Sequence, residues 1–168
     1  GGNNAENHNH NDIGSYAVAL GKCTMVGDQG GPFSYPGDYF SAEAPEKYKI
    51  KGSFGHPVPV VDGKTQSSGA KASAIVLKKE FTDVKDLLCI DYTSAYSTPS
   101  LDKLVRTFVY DRQGKGSFTV GDEFTANAPI RFETAITTQA NWKIIDDTHL
   151  LLTTGTEQMT VTIEASGK

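Results

Sequence analysis

No apolar run in the 168-residue chain approaches the roughly 18 residues of a membrane-crossing helix, and the mean hydropathy is -0.36, so no membrane partner is expected. There is no cluster of lysine and arginine either. The 16 basic side chains are scattered singly or in pairs among 20 acidic ones, for a formal charge of -4, whereas phosphate neutralisation needs concentrated positive charge. Nucleic acid is therefore excluded as a partner. Only two cysteines occur, Cys23 and Cys89, without CxxC spacing. In apolar, strand-like surroundings they read as buried free thiols rather than a disulfide. Leucine and alanine are few, 9 and 14, beside 11 valines, 9 isoleucines and 17 threonines. Beta-branched residues favour strands, and 17 glycines with 7 prolines leave little room for long helices.

What is present reads as all-β. Alternation around Tyr16, Val18 and Leu20, then Lys22 to Val26 after Gly21, predicts a hairpin or a pair of successive strands. Residues 27–56 are rich in Gly, Pro and Tyr and predict a long ordered loop, with a short strand at 48–51. Strands are expected at 58–61, closed by an Asp62-Gly63 turn, and at 70–77, 87–93, 104–111, 117–124, 130–138, 142–145, 150–154 and 159–165. A helical turn is expected within 97–105, after Thr98-Pro99. Many short strands at such spacing predict an antiparallel β-sandwich, a single domain over residues 1–168. The Gly-Gly-Asn-Asn beginning, without Met or targeting segment, reads as an excised piece of something larger.

The informative segment is Glu6-Asn7-His8-Asn9-His10-Asn11-Asp12-Ile13-Gly14-Ser15. In an extended chain residues two apart project to the same side, so His8 and His10 face a common site. Imidazole is the usual neutral ligand of zinc and the usual acid–base group near neutral pH. Further carboxylate and imidazole candidates follow at Asp28, ending the second strand, and His56, ending the long loop.

The run Gly2 to Tyr16, with Gly27-Asp28-Gln29-Gly30, Ser53-Phe54-Gly55-His56 and Asp62-Gly63-Lys64-Thr65-Gln66, resembles the C-terminal β-sandwich region of heparinase II/III-type polysaccharide lyases. The resemblance implies an intact protein with an α-helical toroid before this sandwich and an acidic polysaccharide, heparin- or heparan-sulfate-like, in the cleft between them. It implies a catalytic role for His8, as base or as a charge-neutralising, proton-transferring group. For His10, Asp28 and His56 it implies zinc ligation. Three protein ligands plus water ordinarily suit a catalytic zinc. The resemblance implies a mainly structural ion, because β-elimination requires no metal-activated water. Family members draw a catalytic Tyr and further polar residues from the toroid, so this fragment alone is expected to be inactive. A bacterial periplasmic or secreted location follows from the substrate class.

Asn9, Tyr35 and Tyr39 are candidate substrate contacts, with packing the simpler role for the two tyrosines. His149 reads as a surface turn residue and Trp142 as a sheet-packing one. Arg106, Arg112 and Lys78-Lys79 are expected to face water. Two other classes compete. A noncatalytic carbohydrate-binding or structural sandwich would need no turnover. A cupin-like metalloenzyme is suggested by Gly2 followed by His8-x-His10, but Gly14 and Ser15 stand where that motif needs Glu.

Overall fold

The computed structural model describes residues 2–6, 8–28 and 30–167. Among these lie the strands β1 (Asn3–Asn4), β2 (Val18–Leu20), β3 (Cys23–Val26), β4 (Val60–Val61), β5 (Gly69–Ser73), β6 (Ile75–Phe81), β7 (Lys85–Asp91), β8 (Leu101–Asp111), β9 (Ser117–Ala126), β10 (Phe132–Glu133), β11 (Asn141–Ile144), β12 (His149–Thr154) and β13 (Glu157–Thr162). The helix α1 (Ala44–Lys47) is one turn long, with Pro45 in the first turn where its missing N–H costs nothing. Every strand pair is antiparallel. A four-stranded meander β6-β7-β8-β9 and a three-stranded one, β11-β12-β13, are joined by the pairs β2-β3, β1-β5 and β4-β10. The chain is the all-β antiparallel sandwich that its composition predicts.

Two apolar clusters hold these sheets. Ile90, Leu104 and Leu101 from the large sheet pack with Tyr92, Tyr96, Val61 and Ile13, which brings the N-terminal segment against β7 and β8. Met25 and Val26 of β3 pack with Leu152 of β12 and Ala140, closing the hairpin onto the small sheet. The Asp62-Gly63 turn forms as expected, both residues with positive φ (50° and 72°), the conformation that Asp-Gly hairpin turns require.

Several expected elements differ. Residues 48–51 form no strand, because the turns following α1 carry them: Tyr48 N donates to Ala44 O and Lys51 N to Tyr48 O. The segment 97–105 holds no helical turn, since β8 already starts at Leu101 and the helical turn lies earlier, at Thr93–Ala95. The strand expected at 70–77 is split between β5 and β6, and that at 130–138 shrinks to β10. Both cysteines are free thiols, half-buried rather than fully buried. Trp142 is 64% exposed because β11 is the edge of its sheet. Arg106, expected to face water, is instead 1% exposed. It forms a bidentate pair with Asp122, its partner directly across β8 and β9, at 2.8 and 2.7 Å. No helix among the described residues is long and apolar enough to cross a membrane.

Candidate metal centre

Three chain segments without ladder pairing bring His10, Asp28 and His56 together. His10 lies in the N-terminal segment just after the turn that Asn9 N closes by donating to Glu6 O, held where Asn11 N donates to Lys51 O at 3.0 Å. Asp28 follows β3, whose end is pinned by Gly27 N donating to Thr137 O and Thr137 Oγ1 donating back to Gly27 O. His56 closes the tight turn Ser53–Gly55, its N–H donating to Ser53 O at 3.1 Å.

One nitrogen from each imidazole and a carboxylate oxygen of Asp28 lie within 4.8 Å of one another. Nδ1 of His10 is 3.0 Å from Nε2 of His56, and Nδ1 of His56 is 3.3 Å from Oδ2 of Asp28. The other Asp28 oxygen accepts from Gly30 N at 2.7 Å, which orients the carboxylate. His56 is fully buried. Its Nε2 also lies 3.1 Å from Ile50 O, the kind of carbonyl to which a ligating imidazole donates its second N–H. Its Nδ1 has no hydrogen-bond partner.

That orphaned nitrogen tests the fit of a metal. Ligand atoms at zinc bond lengths in a tetrahedral shell stand about 3.4 Å apart, close to the His56–Asp28 separation, and two His with one Asp are donors that zinc accepts. Burial holds the His10 imidazole below its ordinary pKa; His56 and Lys51 add to this, while Asp28 and Asp12 oppose it. The result is a neutral nitrogen, as ligation requires. The residues therefore fit the ion that the resemblance implies.

His10 and Asp28 line an open concavity of about 380 Å³ together with His8, Tyr35, Tyr39 and Phe40, and the fully buried His56 lies behind them. His8 is exposed and rests its ring on Phe40, centroids 4.4 Å apart. Tyr35 is 57% exposed at the rim, whereas Tyr39 is 2% exposed, so its larger role is packing among Tyr35, Phe40 and Tyr48. Burial raises the Tyr39 phenol pKa, so it stays protonated, and its hydroxyl has no partner.

The N-terminal segment is not extended at His8, where Asn9 N donates to Glu6 O at 2.9 Å and closes a turn. His8 and His10 line this concavity, while Asn9 and Asn11 line a second one on the other side. There the Asn9 amide donates to Asn3 O at 2.9 Å, so Asn9 is not brought together with the histidines. Lys51 is a feature that the sequence does not announce. It is 1% exposed, donates to Tyr39 O at 2.7 Å, and lies over the Tyr39 and Phe40 rings at 5.1 Å, with burial pushing its pKa down. No family model matches this chain, and no curated protein matches it significantly.

Proposed function

We propose that this chain is the β-sandwich part of a polysaccharide lyase that cleaves uronic-acid-containing, heparin- or heparan-sulfate-like polymers by β-elimination, in the bacterial periplasm or outside the cell. The observation that carries the reading is the shared concavity, lined by the exposed His8 and by His10 and Asp28, which group with the buried His56. The exposed His8 imidazole, two residues from the half-buried His10, divides reaction from support.

In such an elimination a base removes the proton on C5 of the uronide, next to the carboxylate. The electron pair of that C–H bond becomes the C4=C5 double bond while the C4–O bond breaks, and the departing oxygen takes up a proton. His8, when neutral, has the chemistry of the base. Its seat on Phe40 restricts the ring without burying it. Tyr35, at the rim, offers an aromatic face and a hydroxyl to a sugar. A zinc held by His10, Asp28 and His56 would supply a rigid cross-link and a fixed positive charge. His10 then anchors the segment that carries His8. The toroid implied by the resemblance would bring the opposite wall and the catalytic Tyr.

The test is formation of unsaturated uronide, read as ultraviolet absorbance, by the full-length parent protein. Turnover is expected with wild type, and His8→Ala is expected to lower it by about 10²-fold or more with zinc content and melting temperature unchanged. Full activity in that variant removes His8 from the mechanism. Tight polymer binding with no turnover in the wild-type parent replaces this reading with a noncatalytic carbohydrate-binding sandwich.

A further inference from the structure

A set of buried polar side chains behind the concavity joins the two histidine-bearing segments. The Gln66 carboxamide grips the main chain of one residue with both ends: Oε1 accepts from Ile13 N at 2.9 Å and Nε2 donates to Ile13 O at 2.7 Å. The main chain of Gln66 is engaged as well, its N–H donating to Ser53 Oγ and its carbonyl accepting from Asn11 Nδ2, both at 3.0 Å. The Ser53 hydroxyl donates in turn to Asn11 O at 2.8 Å. Asn11, Ser53 and Gln66 are 5%, 1% and 2% exposed.

These bonds close a ring through Asn11, Ser53, Gln66 and Ile13. Asn11 directly follows His10, and Ser53 opens the turn that ends at His56. Neither histidine lies in a strand, so no sheet register sets their separation. The ring does so instead. Removing one buried oxygen from it leaves main-chain donors and acceptors without partners, and the segments shift to recover them.

We propose that Ser53 and Gln66 are positioning residues for the metal centre, fixing the His10–His56 separation through the main chain of Asn11 and Ile13 and so setting the affinity for zinc. The proposal rests on the reading of His10, Asp28 and His56 as ligands. Groups that orient ligands from behind typically govern affinity by about 10–100-fold.

The experiment is a zinc titration of the metal-free chain against a chromophoric chelator, for wild type, Ser53→Ala and Gln66→Leu. Cobalt-loaded visible spectra and metal-free circular dichroism accompany it. The expected result is a zinc dissociation constant about 10–100-fold higher in each variant, with an altered cobalt d–d band, while the metal-free dichroism matches wild type. The cobalt band reports ligand geometry, which a merely stabilising role would leave alone. Unchanged affinity and an unchanged cobalt spectrum in folded Ser53→Ala overturn the proposal. Should Gln66→Leu not fold, Ser53→Ala decides, because it deletes a single oxygen. Absence of zinc binding in wild type overturns the metal centre itself, an outcome distinct from equal affinity across the variants.

Discussion

Nδ1 of His56 stands 3.3 Å from Oδ2 of Asp28 with no hydrogen bond between them. A buried ring nitrogen without a partner, facing a carboxylate oxygen, is stable with a cation between the two. About one zinc per chain is therefore expected after metal-replete folding, and its loss in both His10→Ala and His56→Ala. Chelation should lower the melting temperature, since an ion bound only by the folded state at a thousand times its Kd stabilises by about 4 kcal/mol. Elemental analysis with melting curves checks this, and zinc-free wild type would sink the assignment.

Gly55 is the neighbour of His56 and has no room for a side chain. A Cβ there would lie 2.8 Å from Ile50 Cα and 2.9 Å from Ile50 O, both rigid backbone atoms. Gly55→Ala must push away the carbonyl that Nε2 of His56 faces. A loss of about 1–3 kcal/mol in stability is expected, as for overpacking elsewhere, together with weaker zinc binding. Urea unfolding with and without metal separates the two; unchanged values in both would contradict the close approach.

Arg106 and Asp122 form a buried ion pair, with side chains 1% and 10% exposed. The guanidinium donates to both Asp122 oxygens and also to Gly14 O and Pro57 O, while Tyr92 OH donates to Asp122 at 2.8 Å. Arg106→Met strands the carboxylate and two carbonyls, and about 3–5 kcal/mol of stability should be lost. Arg106→Lys should not restore it, because an ammonium lacks the planar fork. Chemical denaturation measures this directly, and a loss under about 1 kcal/mol would mean that the pair is solvated.

Asp146 offers a test by pH. Thr148 donates to it from both its backbone N–H and its hydroxyl, and His149 Nδ1 lies 2.8 Å away, so its pKa is lowered to about 2. A carboxyl with a depressed folded-state pKa favours folding above its unfolded value near 4. That contribution fades as the pH falls from about 4 through about 2. Carbon-13 titration of the side chain should find the low midpoint in the folded chain. A midpoint near 4 would show that the turn between β11 and β12 does not hold the carboxylate.

Local chemistry made some of this legible in advance. Asp62-Gly63 could be read as a hairpin turn because few residue pairs accept positive φ in succession, and β-branched composition marked the sheets. His10, Asp28 and His56 were visible as ligand types, and the structure brings them together. Long-range partnerships were harder to see. Arg106 is buried because Asp122 faces it across two strands, a relation that appears only once the register of β8 and β9 is known. Lys51 and Gln66 look like ordinary surface residues until the segments that enclose them are folded. Trp142 misled in the other direction: its apolar ring suggested packing, but edge position leaves it exposed.

Residues 8 to 11 serve two recesses at once. The imidazoles of His8 and His10 line one concavity, while the amides of Asn9 and Asn11 line the other. On the amide side the segment is tied down, Asn9 to Asn3 O and Asn11 to Gln66 O. One short length of main chain is thus common to both recesses, and a change made on its amide side reaches the imidazoles through a single peptide plane.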